Sequence, residues 1–118
     1  MKAHLCYANW HEMLKIPDNN QTFLSVAMDG DVLLDEEFYD HVFTCEKFSS
    51  PLQICDELFE QFSLGDKGGL HTRAMSVGDI VIIEYDLWTE AYVCITTGWR
   101  MIDLEDKSNS NLVKSLTK

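Results

Sequence analysis

The side chains best suited to bind a metal are four cysteines and four histidines in a chain of 118 residues. Zinc sites usually place their ligands in short repeats such as Cys-x2-Cys or His-x3-His, and neither spacing occurs here. The nearest approach is His41 with Cys45. On the strand predicted for this segment, residues four apart share a face but lie about 13 Å from each other. The sequence therefore predicts no metal site and no cofactor.

The same cysteines are the first candidates for a catalytic nucleophile. A nucleophilic Cys or Ser needs a neighbouring His and an orienting acid, and no local signature such as Gly-x-Ser-x-Gly occurs. Each Cys stands in a stretch that contains apolar residues, and apolar surroundings raise the pKa of a thiol. An acidic run such as Asp35-Glu36-Glu37 is typical of a solvated face and not of a tuned general acid, and the glycine-rich residues 65–69 lack the phosphate-loop pattern. We therefore expect a protein that is not an enzyme.

The distribution of charge is the most informative property of the sequence. The net charge is −11, and residues 12–66 alone carry 13 acids against two lysines, which is also −11. This field repels nucleic acid, whose binding depends on Lys and Arg contacts to phosphate, and it attracts basic protein surfaces. The alternative is that the charge only keeps the protein in solution. The predicted partner-binding residues are Asp29, Asp31, Asp35, Glu36, Glu37 and Asp40.

The segment that most resembles a functional signature spans residues 73–84. Gly78 and Asp79 predict a turn or a bulge, because glycine tolerates positive φ and Asp accepts hydrogen bonds from nearby backbone N–H groups. Ser76 belongs to the same turn, and Arg73 lies close enough in sequence to pair with Asp79 or to face a partner. The β-branched residues that follow predict a buried strand. We interpret the motif as structural.

The predicted elements form one α+β domain, in which a small, curved, antiparallel β-sheet packs against one main amphipathic helix. A second, short helix lies near the N-terminus, at residues 9–14. The main helix spans about 51–63, where Ser50 and Gln53 match a capping box and apolar residues recur at steps of three and four. The apolar stripe of this helix comprises Leu52, Cys55, Leu58, Phe59 and Phe62.

The remaining patterns predict strands and turns around this helix. Strands are expected at residues 22–28, 32–34, 39–48, 80–83, 91–97 and 99–102. The turn Asp29-Gly30-Asp31 would join the first two as a hairpin, and residues 35–40 suit a short helical turn. Residues 3–8 fit either a strand or the start of a helix. The domain is expected to span residues 1–104, followed by a polar tail at 105–118 with a weak helix through Leu112, Val113 and Leu116.

Cellular location is predicted from what the sequence lacks. No apolar run reaches the roughly 18–20 residues of a membrane span, and the first residues are too polar for a secretory signal. We therefore expect a cytoplasmic protein that binds no membrane and whose cysteines are free thiols.

Residues of about 50–102 resemble the YodL-like domain, a small family found in bacterial mobile elements and phages. The matching residues are Leu58, Phe59 and Phe62 at the end of the helix, residues 75–81 in the motif, and Val93-Cys94 with Gly98-Trp99 further on. The family has no established activity or catalytic residue to carry over. What the resemblance implies is a genetic setting, a mobile element or phage.

The charge and the resemblance together predict a non-enzymatic, acidic module that binds a protein with a basic surface. In its sharpest form it is a nucleic-acid mimic that inhibits a host defence system, as anti-CRISPR and anti-restriction proteins do. The alternative is an accessory or regulatory interaction domain of a conjugative element with no inhibitory role. Such a domain would bind through apolar anchors, and the candidates are Trp10, Trp88 and Trp99.

Overall fold

One antiparallel sheet forms the centre of the molecule. The computed structural model describes residues 1–62 and 74–118. The strands are β1 (Lys2–Ala8), β2 (Tyr39–Glu46), β3 (Ile80–Glu84), β4 (Thr89–Ile95) and β5 (Gly98–Met101). They lie in the order β2-β1-β3-β4-β5, and each neighbouring pair is antiparallel. The predicted α+β fold with a curved antiparallel sheet is confirmed.

Helices lie between these strands and after the last of them. In the described part of the chain they are α1 (Trp10–Met13), α2 (Asn19–Leu24), α3 (Pro51–Phe62) and α4 (Lys107–Leu116). A π-helical turn (Ser25–Asp29) continues α2, and a 3-10 turn (Glu36–Phe38) precedes β2. The short N-terminal helix and the helical turn expected at 35–40 are both confirmed.

The sheet is covered on both faces. Side chains alternate along each strand, so β1 to β4 each contribute residues to two core clusters. On one face, Leu5 of β1 and Val81 of β3 belong to the same core cluster as the buried residues of α3. On the other face, Cys6 and Ile82 belong to a second cluster with the buried residues of α4. All of β3 except Glu84 is buried, which requires cover on both sides. The sequence predicted one main helix, and the structure adds α4 as a second.

The buried stripe of α3 differs in part from the prediction. Its buried residues are Ile54, Cys55, Leu58 and Phe62. Leu52 and Phe59 are exposed, because at 100° per residue they fall on the flank of this stripe. Phe59 instead packs edge-on against Trp99, with ring centroids 6.5 Å apart. The helix itself, predicted at about 51–63, is confirmed.

The strands predicted at 22–28 and 32–34 are wrong. Residues 19–29 are helical, and only Val26 and Ala27 of the π-helical turn are buried. The apolar bulk of the segment does not alternate: Phe23, Leu24 and Met28 are exposed. Residues 32–34 form no strand, because Gly30 ends the helical segment with a left-handed φ of 74° instead of closing a hairpin.

The predicted polar tail contains a helix that belongs to the core. Leu112, Val113 and Leu116 of α4 are buried in the second cluster. The helix begins at its N-cap, Asp106, whose carboxylate accepts a hydrogen bond from the N–H of Ser108 at 2.9 Å. The division placed at residue 104 therefore does not separate folded chain from a free tail.

Two expectations are limited by the described ranges. The loop at residues 65–69 and Arg73 of the motif lie outside the described residues. Within residues 1–62 and 74–118, no helix combines the length and apolar character needed to cross a membrane.

Candidate functional site

The six predicted partner-binding acids all have exposed side chains, and they follow one another along a single stretch of chain. Asp29 ends the π-helical turn and Asp40 is the second residue of β2. The stretch 29–40 is called the acidic segment below. The structure therefore presents all six carboxylates to solvent, from the end of the π-helical turn to the start of β2.

The start of the acidic segment is held against the sheet by Gly30. A Cβ at this position would lie 2.7 Å from Cδ of Arg100 and 3.2 Å from Cγ1 of Val93, so only glycine allows this approach. The carbonyl of Ala27 accepts a hydrogen bond from the N–H of Thr96 at 2.8 Å. The segment consequently enters over strands β4 and β5.

Hydrogen bonds fix the other end of the segment. The carboxylate of Asp35 accepts from the N–H of Glu37 at 3.2 Å, which caps the 3-10 turn. The hydroxyl of Tyr39 accepts from the N–H of Leu33 at 3.0 Å, and the carbonyl of Phe38 accepts from the N–H of Asn9 at 2.7 Å. These contacts give the exposed acids a defined backbone.

Three shallow depressions follow the acidic segment and share residues. Two of about 450 Å³ meet at Leu34, and a third of about 330 Å³ meets the first at Asp31. We call the three together the acidic groove. Its acidic lining residues are Asp18, Asp31, Asp35, Glu36 and Asp103. Among the described residues that line it, Arg100 is the one basic residue, so this lining has an excess of negative charge.

The structure brings together some of the predicted acids and leaves others aside. Three of the six, Asp31, Asp35 and Glu36, line the groove, whereas Asp29, Glu37 and Asp40 are exposed but line none of its depressions. Within the described ranges, none of the six forms an ion pair.

The groove also has an apolar element that charge counting alone did not indicate. Leu34 and Met101 line it with 55% and 56% of their surfaces exposed. Interfaces commonly surround an apolar centre with polar groups. The arrangement is therefore suited to a basic partner that also offers an apolar contact.

Gly78 and Asp79 of the motif are buried, and Asp79 is engaged in the fold through hydrogen bonds. The carboxylate of Asp79 accepts from the N–H of Ala8 at 2.8 Å and from the N–H of Ser76 at 2.7 Å. Gly78 has φ of 89°, and a Cβ there would lie 3.0 Å from Val26 and 3.1 Å from Trp10. The predicted turn and the backbone-binding Asp are both present. Both Ser76 and Gly78 serve the turn, which is a structural role.

The cysteine thiols are poorly suited to nucleophilic chemistry. All four are free. Burial, reinforced by the charge of Asp79, raises the pKa of Cys6 from 9.0 to about 12. Burial also raises the pKa of Cys55 to about 12 and that of Cys94 to about 11. A thiol is a nucleophile only as its thiolate, so these groups are unreactive near neutral pH.

A polar cluster on β1, β2 and β3 was not predicted from the sequence. His4 is only 4% exposed. Its Nε2–H donates to Oε2 of Glu84 at 2.6 Å. The other ring nitrogen, Nδ1, lies 3.1 Å from Oγ1 of Thr44 and 3.3 Å from Nε2 of His41. Oγ1 of Thr44 and Nε2 of His41 are 2.7 Å apart. We call these four residues the histidine cluster.

A β-bulge explains why sequence spacing did not reveal this cluster. Leu5 lies opposite Phe43, but Cys6 lies opposite His41, so Val42 is an extra residue in β2. The shift puts His41 on the face of His4, 37 residues away in sequence, and on the face opposite Cys45. The prediction that His41 and Cys45 share a face is therefore wrong. The available signal was a single His within the apolar run of β1.

Burial and the neighbouring His4 lower the pKa of His41 below its usual value. Both effects disfavour the imidazolium, because burial removes hydration and a second positive charge would repel it. Both effects favour the neutral form of His41, in which one ring nitrogen carries a lone pair.

The three tryptophans differ in exposure. Trp10 and Trp99 are partly buried and pack against Phe23 and Phe59. Trp88 is 55% exposed and stacks on Tyr85 with ring centroids 4.5 Å apart, next to Leu87 at 89% exposure. Of the three proposed anchors, Trp88 is the one that presents most of its surface.

Within residues 1–62 and 74–118, no group of three or more His, Cys, Asp or Glu side chains is arranged to hold a metal ion.

No protein-family model, curated protein or solved structure matches this chain. The resemblance to the YodL-like domain therefore stays a prediction.

Proposed function

We propose that this protein is a non-enzymatic binding module whose acidic groove takes up a basic surface of another protein. The observation that carries the proposal is the groove itself. It combines exposed carboxylates that form no ion pair within the described residues with two exposed apolar side chains, Leu34 and Met101.

Unpaired surface charge favours binding to a partner over a purely structural role. An exposed ion pair contributes little to stability, and the five groove carboxylates, which outnumber the one cation Arg100, repel one another. A complementary basic surface removes this repulsion and accelerates association through long-range attraction. The backbone hydrogen bonds around Asp35 and Tyr39 hold the segment in place before binding, which lowers the entropic cost of association.

Basic protein surfaces that attract such a module include those that hold nucleic acid. The sharpest form of the proposal is therefore a nucleic-acid mimic that inhibits a nucleic-acid-handling defence complex of a host, acting in the cytoplasm. The resemblance to a family of mobile elements and phages supports this setting. The partner would then bind either the module or its nucleic acid, but not both.

The test compares two variants with the same loss of charge. The groove variant is D31N/D35N/E36Q. The reference variant neutralises exposed acids on α3, on the β3–β4 turn and before α4, and is D56N/D86N/E105Q. Each removes three negative charges from a net charge of −11. Wild type and both variants are immobilised and exposed to host lysate at low salt and at about 0.5 M salt, where charges are screened beyond about 4 Å.

We expect wild type and the reference variant to retain the same basic, nucleic-acid-handling protein at low salt, and the groove variant to lose it. Added nucleic acid should release the retained protein, and high salt should weaken its binding. Equal retention by the two variants would show that net charge, and not the groove, is what matters. Absence of any basic partner at either salt concentration would refute the proposal.

A second candidate function is an accessory interaction module that binds through the β3–β4 turn. The exposure of Trp88 and Leu87 favours it, since aromatic residues dominate interface energetics. The variant W88A should then abolish partner capture while the groove variant preserves it. The two functions are thus separated by which variant fails.

A further inference from the structure

The histidine cluster brings three potential ligand atoms within a single small space. Nδ1 of His4 and Nε2 of His41 are 3.3 Å apart, and Oγ1 of Thr44 lies 3.1 Å from the first and 2.7 Å from the second. Two imidazole nitrogens bound to one tetrahedral zinc ion at 2.0–2.1 Å are about 3.3 Å apart. The spacing of the two nitrogens therefore already matches that of two ligands on one ion.

The orientation of His4 is the second observation. Its Nε2–H donates to the carboxylate of Glu84 at 2.6 Å, so in the neutral ring the lone pair is on Nδ1, the atom that faces His41 and Thr44. A carboxylate that receives the distal N–H of a metal-binding His fixes the ring and raises its basicity. Glu84 stands in this relation to His4.

The third observation is the β-bulge at Val42. With regular pairing, His41 would lie opposite Tyr7 and on the other face of the sheet; the extra residue places it opposite Cys6, on the face of His4. Bulges are over-represented beside functional sites, where they redirect a side chain. His41 is also exposed, which gives an ion a path from solvent to the buried His4.

We propose that His4 and His41 bind one divalent transition-metal ion of the zinc class, with Thr44 as a hydroxyl ligand and Glu84 orienting His4. Imidazole ligands suit Zn²⁺, Cu²⁺ and Ni²⁺. The set contains two imidazoles and one hydroxyl, so one position of a tetrahedral ion is left for water or for a group from a partner. The site is weaker than a structural zinc site, and its existence departs from the sequence-based expectation of no metal.

The test uses zinc chloride and the full reduced chain. Zinc affinity and stoichiometry are measured by competition with a chromophoric chelator, and imidazole resonances are followed by NMR during the same titration. We expect one ion per chain, with shifts in the rings of His4 and His41 and none in that of His11, an exposed histidine of α1 outside the cluster.

Variants separate the ligands from other zinc-binding groups. H41A changes an exposed residue and should weaken zinc binding at least about tenfold, whereas the matched control H11A should bind as wild type does. E84Q should weaken binding by about 10- to 100-fold, as loss of a carboxylate partner does in other sites. C45S, which removes the partly exposed thiol, should have no effect.

Several results would overturn the proposal. One is the absence of zinc binding to wild type at millimolar concentration, and another is equal affinity of H41A and wild type. A loss of binding in C45S would move the site to a thiol. Because the NMR titration uses wild type, an unfolded variant does not leave the proposal undecided.

Discussion

The acidic segment and the motif around Asp79 contain the same functional group in opposite environments. The carboxylate of Asp79 is fully buried and accepts hydrogen bonds from the N–H groups of Ala8 and Ser76. The carboxylates of Asp31 and Glu36 are exposed, and within the described residues they form no ion pair. One region uses a negative charge to hold backbone together, and the other presents negative charge to solvent.

The difference shows how to separate architecture from recognition in a chain with so many acids. A buried charge is tolerated only where hydrogen bonds compensate its lost hydration, so Asp79 is committed to the fold. An exposed charge is free to bind a partner at small cost to stability. Removing each carboxylate in turn should therefore give effects that differ in kind, in folding for Asp79 and in binding for the segment.

The largest effect is expected for D79A. It leaves at least two backbone N–H groups without an acceptor in the interior, each costing about 1–3 kcal/mol, so we expect a loss of roughly 4 kcal/mol in the free energy of unfolding. D79N keeps one acceptor oxygen and should recover part of this loss. Urea unfolding followed by circular dichroism measures both.

The control for this prediction is D86A, which removes an exposed Asp from the β3–β4 turn. Its unfolding free energy should stay within about 0.5 kcal/mol of wild type. If D79A unfolded at the same urea concentration as D86A, the buried carboxylate would not be holding the turn.

Alkaline pH tests, without a mutation, how buried ionisable groups affect stability; here the groups are the thiols of Cys6 and Cys55. Burial raises the pKa of Cys6 and of Cys55 from 9.0 to about 12. The folded state thus keeps protons that the unfolded state releases, and stability falls as pH rises from about 9 towards 12. Each thiol contributes about 1 kcal/mol per pH unit in this window. The measurement is urea unfolding at pH 8 and pH 10 under reducing conditions.

The variant C6A supplies the control for the pH dependence. It lowers stability at every pH because it leaves a cavity. The decrease in unfolding free energy between pH 8 and pH 10 should nevertheless be smaller than in wild type, because one thiol with a raised pKa is gone. An unchanged decrease would mean that Cys6 does not titrate in the unfolded chain as this linkage requires.

A smaller effect is expected for G78A in the Asp79 turn. The new Cβ would lie 3.0 Å from Val26 and 3.1 Å from Trp10, at φ of 89°. We expect a loss of about 1–3 kcal/mol. G98A is the matched control, since φ is 136° there but no atom lies within 4 Å of the added Cβ. A larger loss of unfolding free energy in G78A than in G98A would measure the cost of the close contacts with Val26 and Trp10. Equal losses would mean that only the strained backbone conformation costs stability.

Periodic apolar patterns made most of the fold predictable. The β-branched run at 80–83 follows a turn at Gly78-Asp79, and the apolar stripe of α3 follows a capping box at Ser50. Both elements are confirmed. The segment 22–28 misled because Phe23, Leu24 and Met28 are apolar but exposed, so bulk alone suggested a strand. The weak helix expected at Leu112 to Leu116 is a core element, and single-sequence patterns do not show which face of a sheet lacks cover.

The candidate sites were less predictable than the fold. The acidic segment could be located from composition, because charge is a property of sequence. Leu34 belongs to the segment itself, whereas Met101 of β5 lines the same depression only through tertiary packing. The histidine cluster depends on a one-residue bulge at Val42, and a bulge changes which face a side chain occupies without leaving a spacing signal.

The smallest effect on stability, and the most decisive for the comparison, is expected for the groove variant D31N/D35N/E36Q. None of these carboxylates forms an ion pair within the described residues, and Asn at position 35 still offers an oxygen to the N–H of Glu37. The unfolding free energy should therefore change by less than about 0.5 kcal/mol. At low salt it should rise slightly, because repulsion between like charges is reduced.

The salt dependence of this variant separates binding from folding. The rise in stability should vanish at about 0.5 M salt, where the repulsion is screened in wild type as well, and the reference variant D56N/D86N/E105Q sets the baseline for loss of charge alone. A loss of more than about 1 kcal/mol would show that the segment holds the fold, as Asp79 does. A neutral result, together with lost partner binding, would assign the acids to recognition, because the unbound fold would be shown not to need them.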